Sequence, residues 1–193
     1  MDMTEKTLAG ETRFEGRLLK LRVDRVALPD GAEAEREVVA HPGGVAIAAI
    51  TGADEILLVR QYRYPFSCVT REIPAGKREP GEDPLTGAKR ELAEETGYAA
   101  ASWRELGELW PTPGFCTETD RLYLATGLIS LREHPEVLPP GAAMPRPDAD
   151  EFLEVERLPL SEAAEAVLRG EFPDAKTQIA LLKVGLLRER KAL

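Results

Sequence analysis

From Leu19 the chain alternates, with Leu19, Leu21 and Val23 set against Lys20, Arg22 and Asp24. A period of two marks a half-buried strand, so residues 13–28 read as strand. Pro29-Asp30-Gly31 is a turn, and Glu35–His41 supplies a returning arm. Together these pieces predict a small antiparallel β unit over residues 1–41, too small to keep a core of its own. The pattern then changes to continuous apolar runs. Val45–Ile50 and Glu55–Arg60 predict buried strands. Trp103–Trp110, Arg121–Ala125 and Phe152–Val155 predict further ones. Helical segments lie between Asp83 and Gly97, from a Ser161 cap to Gly170, and from Asp174 onward. The last has Ala175, Ile179, Leu182 and Leu186 on one face. Strands with helices on both sides predict an α/β fold, an α/β/α sandwich with a mixed sheet, over residues 42–193.

The helix between Asp83 and Gly97 has the most informative pattern. Asp83 can cap the free N–H groups, Pro84 suits the first helical position, and Gly97 suits the left-handed stop. At about 100° per residue, Leu85, Ala88 and Leu92 fall within about 60° of one another and form the buried stripe. Glu95 lies about 20° from Ala88 and Glu91 about 60° from it, so two carboxylates one turn apart meet the edge of the buried face. Burying them is costly unless a cation sits there, and acids near a helix C-terminus oppose its dipole. Oxygen ligands without His or Cys suit Mg2+ or Mn2+. Arg90 can brace one carboxylate and leave the others, Glu94 included, free.

Other residues add to this candidate site. Arg63 closes the second apolar run and invites an anion. Pro74 and Gly76 fix the backbone on either side of Ala75, so its carbonyl can be held at a set angle. Pro111–Phe115 is a stiff loop with an aromatic at its tip. Residues 132–150 are broken by five prolines and end in Asp148, Asp150 and Glu151. A loop of that length in a compact domain is usually functional or mobile.

Composition narrows the partners. At 193 residues, 43% hydrophobic and 31% charged, the chain reads as a globular protein with a sizeable core. A net charge of −9 argues against nucleic acid as the main partner. It does not exclude a small anion held by metal and a few arginines. Two cysteines make no disulfide framework, and no apolar run predicts a signal peptide or membrane span. A cytoplasmic location without membrane contact is the expectation.

The string from Gly76 to Tyr98, with Glu82 and Arg90-Glu91-Leu92-x-Glu94-Glu95-x-Gly97 at fixed spacing, resembles the Nudix box. Only Tyr98 departs, where an aliphatic residue is usual. Arg36–Val39, His41–Val45, Val59–Arg63, Glu72–Gly76, Pro113, Glu151–Val155 and Asp174–Thr177 resemble the ADP-ribose pyrophosphatase branch of Nudix hydrolases. The resemblance implies metal-dependent cleavage of a nucleoside diphosphate, with ADP-ribose giving AMP and ribose 5-phosphate. It implies metal ligation by Glu91, Glu95 and the Ala75 carbonyl, with Glu94 and Arg90 assisting. Glu151 matches the loop carboxylate that serves as base or as a further metal partner, with Asp148 and Asp150 as neighbouring alternatives. Arg36, Arg63, Glu72, Gly114, Phe115 and Glu118 become substrate contacts. Phe14 is a poor match for the aromatic that stacks on the base. Branch relatives pair through the N-terminal strands, so a homodimer is implied. The rival readings are hydrolysis of another nucleoside diphosphate sugar and a non-catalytic, nucleotide-sensing regulator.

Overall fold

The computed structural model describes residues 1–191. The chain divides into two compact units: Met1–Gly43 together with Trp110–Thr119, and Gly44–Leu109 together with the chain from Asp120.

The first unit is a three-stranded antiparallel sheet of β1 (Lys6–Glu15), β2 (Lys20–Ala27) and β3 (Glu33–Ala40), in that order. β1 escapes the periodicity argument because every one of its residues is exposed. It is a strand through its backbone pairing with β2, from Lys6↔Ala27 to Glu15↔Lys20. The Pro111–Phe115 loop also belongs to this unit. Val39 N–H donates to the Phe115 carbonyl at 2.7 Å, and Thr117 N–H returns a bond to the Val39 carbonyl at 2.9 Å.

The second unit holds two sheets. β7 (Ala75–Lys77), β4 (Gly44–Ala49), β9 (Asp120–Ser130) and β8 (Tyr98–Leu109) form one, with β4 and β9 parallel and the outer pairs antiparallel. β10 (Glu154–Pro159), β5 (Glu55–Arg63) and β6 (Cys68–Glu72) form the other. β4 is buried along its whole length, and its alternate residues serve opposite layers. Val45, Ile47 and Ala49 join Ala88 and Leu92 of α1 (Pro84–Thr96). Ala46 and Ala48 join Ala163 and Ala166 of α2 (Leu160–Leu168) and Ala180, Leu181 and Val184 of α3 (Ala175–Glu189). This is the expected α/β/α layering. Leu92 is fully buried, so Leu92→Ala costs about 2–5 kcal/mol.

Several local expectations need correction. β6, with the polar sequence CVTRE, is a strand because it pairs with β5 from Val59↔Glu72 to Arg63↔Cys68. β10 starts at Glu154, where pairing with Arg60 begins, so Phe152 lies outside it and is 86% exposed. α2 begins one residue before Ser161, which caps nothing; Pro159 holds the cap position. In α3 the buried residues are Thr177, Ala180, Leu181 and Val184, whereas Leu182 and Leu186 are exposed. The face is turned because the Thr177 hydroxyl is drawn inward by the Ile73 amide, which a hydrophobicity count does not register.

Candidate active site

The site begins at the cap of α1. Asp83 accepts the Thr86 amide at 3.0 Å, Pro84 opens the helix, and Gly97 ends it at φ 72°. The helix faces the connector between β6 and β7. There the Ala75 amide donates to Glu95 Oε2 at 3.0 Å. A Cβ on Gly76 would lie 2.0 Å from the Glu91 carboxyl carbon, so only glycine leaves room for that carboxylate. The approach puts Glu91 and Glu95 at 9% and 7% exposure, as the helical spacing predicts.

Burial has an electrostatic cost. It raises the Glu91 carboxyl to about 6, against the opposing pull of Arg90. It raises Glu95 to about 8, with the neighbouring Glu91 charge as the next cause. Glu151 also figures among the charges that raise both groups. The exposed loop carboxylate therefore stands within the field of the two helix carboxylates.

Arg90 is more heavily engaged than the sequence suggests. Its guanidinium meets Glu82 with two bonds of 3.0 Å, Glu91 at 2.8 Å, Glu94 at 2.8 Å and the Lys77 carbonyl at 3.0 Å. It therefore clamps three carboxylates rather than one. Glu82 is the main cause of the raised basicity of Arg90, and Arg90 in turn lowers Glu82. Glu82 thus belongs to the site as well, and its fixed place in the Gly76–Tyr98 string is the signal for it. Glu95, by contrast, is hydrogen-bonded to an amide and, among the described residues, to no cation.

Arg63 and Glu72 meet each other in a bidentate pair at 2.8 and 2.6 Å, and Thr70 Oγ1 donates to Glu72 at 2.6 Å. Glu72 is almost fully buried, while the Arg63 side chain keeps 38% exposure. Burying a fork with its acid is tolerable because both partners are satisfied. Glu151 ends the proline-broken loop in a turn, its amide donating to the Asp148 carbonyl at 2.9 Å. It lines an open cleft of about 550 Å3 with Tyr62, Val69, Pro147, Phe152 and Leu153.

The remaining candidates lie in the first unit. Arg36 is paired with Glu5 at 2.6 and 2.9 Å. Phe115 is 55% exposed, and a Cβ on Gly114 would meet nothing within 4 Å. Glu118 approaches His41 at 3.9 Å, and Phe14 is 56% exposed.

Two buried carboxylates, one of them bonded to no cation, fit a hard divalent ion in charge and donor chemistry. Among the described residues no three His, Cys, Asp or Glu side chains converge on one point. Glu91 is turned toward Arg90, and Glu95 toward the Ala75 amide.

An α/β/α sandwich with a capped helix of clamped carboxylates on one layer defines a class. Residues 40–180 match the NUDIX domain, and the chain belongs to that family. Residues 5–39 match the nucleoside diphosphate sugar hydrolase N-terminal domain. An ADP-ribose pyrophosphatase of Bacillus subtilis is 41% identical over 93% of this chain and 91% of its own length. One from Mycobacterium tuberculosis is 39% identical over 93% of this chain and 82% of its own. A methanol dehydrogenase activator of Bacillus methanolicus is 44% identical over 92% and 90% respectively. The crystal structure of an ADP compounds hydrolase has the same fold, with a TM-score of 0.82, 22% identity and full coverage of both chains.

Proposed function

We propose that this protein hydrolyses the diphosphate of ADP-ribose to AMP and ribose 5-phosphate, with Mg2+ or Mn2+ as cofactor. It is a Nudix hydrolase, and two relatives named ADP-ribose pyrophosphatase match it over most of their length. The observation that carries the mechanism is the buried Glu91–Glu95 pair, with Glu91 packed on Gly76 and Glu95 held by the Ala75 amide.

Glu91, Glu95 and the Ala75 carbonyl are the groups that would hold the ion. When bound, a divalent ion neutralises diphosphate oxygens, acidifies water and steadies the leaving phosphate. The protein supplies the rest. Arg90 fixes the orientation of Glu91 and Glu94 by sharing one guanidinium between them and Glu82. Arg63, held flat by Glu72, presents its remaining donors to a phosphate oxygen. Glu151 is exposed, its charge raises both helix carboxylates, and among the described residues it is paired with no arginine. It accepts a proton from water as the water oxygen bonds to phosphorus and the bridging P–O bond breaks. Arg36, Gly114, Phe115 and Glu118 contact the nucleoside and sugar ends. A second copy pairs through the N-terminal sheet, which exposes every residue of its edge strand. Among the described residues no helix is long and apolar enough to cross a membrane. The reduced state of Cys68 and Cys116 suits the cytoplasm.

The test is chromatography of products from ADP-ribose and a panel of other nucleoside diphosphate sugars, with Mg2+ and with EDTA. AMP and ribose 5-phosphate in equal amounts, lost in EDTA, are expected. Turnover of another sugar nucleotide with ADP-ribose untouched favours the rival substrate class. Light scattering at micromolar concentration tests the dimer, which a monomeric mass contradicts.

A further inference from the structure

The Ile73 amide, in the connector between β6 and β7, takes its partner from a distant helix. Ile73 is fully buried, and its N–H donates to Thr177 Oγ1 at 2.9 Å. Thr177 is fully buried too, although its side chain is polar. Its hydroxyl donates to Asp174 Oδ2 at 2.7 Å, the same oxygen that accepts the Thr177 amide at 2.8 Å and caps α3. The other Asp174 oxygen accepts Lys176 Nζ at 2.7 Å. A hydroxyl with one fixed acceptor and one fixed donor has a single orientation.

The steps from Ile73 to the site are short. The next residue, Pro74, has a fixed φ and no N–H, and its carbonyl accepts the Ile47 amide of β4 at 2.8 Å. The residue after that, Ala75, donates its amide to Glu95 Oε2. One end of the Ile73–Ala75 segment is thus tied to α3, and the other end, the first residue of β7, orients a buried carboxylate. We infer that Thr177, oriented by Asp174, is a positioning residue for Glu95. Through it α3, 104 positions along the chain from Ile73, sets the carboxylate geometry that a divalent ion meets. The inference rests on the metal reading of Glu91 and Glu95 given above. A purely structural hydroxyl would lower stability and leave metal affinity alone, whereas a positioning hydroxyl changes the affinity itself.

The experiment is a Mn2+ titration of the full chain without substrate, followed by electron paramagnetic resonance, with circular dichroism to verify folding. Thr177→Val keeps the shape and loses the hydroxyl; it should weaken Mn2+ binding about 10–100-fold, the usual effect of removing a partner behind a metal ligand. Thr177→Ser keeps the hydroxyl and should stay within about threefold of wild type. Should Thr177→Val fail to fold, the smaller Thr177→Ala reads the same quantity. Val184→Ala, buried on the same helix face, lowers stability by a cavity alone and should bind Mn2+ normally. Wild-type affinity in Thr177→Val, or equal weakening in Val184→Ala, overturns the positioning role. Glu95→Gln separates the two readings. If it weakens Mn2+ and Thr177→Val does not, only the positioning role falls. If Glu95→Gln binds as wild type does, the metal reading falls and the inference with it.

Discussion

Helix α1 and the loop from Arg132 to Leu153 both carry candidate carboxylates, in opposite settings. On α1, and at Glu82 just before its cap, each acid is fixed. Glu82, Glu91 and Glu94 share Arg90, Glu95 takes an amide bond, and Glu91 and Glu95 are buried. In the loop Asp148, Asp150 and Glu151 are exposed, and the one regular piece is a single turn at Pro135–Val137. A buried, uncompensated carboxylate attracts a cation, and once it holds one it is a poor base. The Glu151 carboxylate is exposed, and its Oε2 accepts the Asp148 amide at 3.4 Å, a bond that a proton from water can replace. Under the proposed function the contrast divides the work: α1 would bind metal and the loop would handle the proton of water.

The largest expected effect bears on the loop. Glu151→Gln should lower kcat by about 10²–10⁴ with substrate affinity within about tenfold, as for loss of a general base. Asp148→Asn and Asp150→Asn should stay within about threefold, since Glu151 is the loop acid whose charge raises both Glu91 and Glu95. Steady-state kinetics at saturating Mg2+ decides this. If all three variants are silent, the contrast fails and the water is activated on α1, with Glu94 the next residue to test.

A smaller effect is expected from Gly76→Ala. The new methyl would occupy the place of the Glu91 carboxyl, a flexible end that can swing away. Metal affinity should drop about 10–100-fold while the melting temperature stays close to wild type. Calorimetric Mg2+ titration beside a thermal melt checks both. An unchanged affinity contradicts the packing of Glu91 on the connector.

The smallest effect is on stability against pH. Glu91 and Glu95 are raised to about 6 and about 8, chiefly by burial. A raised carboxyl favours the folded state when protonated. Its contribution is complete below the ordinary carboxylate range and is lost as pH climbs through these two values. The metal-free protein should therefore melt lower as pH rises from about 5 to about 9, and Glu95→Gln should lack the upper part of that fall. Melts in EDTA read it directly. The same slope in wild type and Glu95→Gln contradicts the burial account.

What the residues alone disclose follows the same contrast. α1 is legible because its signals are local: a cap at Asp83, a stop at Gly97 and a stripe that drags Glu91 and Glu95 inward. β4 is legible because both of its faces are buried, so apolar residues run without a break. β1 is not, since both faces are exposed and only backbone pairing makes it a strand. The buried face of α3 runs along Thr177, Ala180, Leu181 and Val184 rather than Ala175, Ile179, Leu182 and Leu186, and a buried threonine tied to a distant amide has no weight in a hydrophobicity count. The Arg63–Glu72 fork was likewise hidden, because its partners meet only when β5 pairs with β6. Long-range hydrogen bonds leave no period in a sequence.

The central claim is that the α1 carboxylates hold the metal while Glu151 acts on water. Its most direct test is the Mg2+ dependence of ADP-ribose hydrolysis in Glu95→Gln and Glu151→Gln, measured side by side. The account predicts that Glu95→Gln shifts the Mg2+ midpoint upward and loses turnover by orders of magnitude, while Glu151→Gln keeps the wild-type midpoint at a reduced kcat. A wild-type Mg2+ midpoint and full turnover in Glu95→Gln, or a shifted midpoint in Glu151→Gln alone, would contradict it.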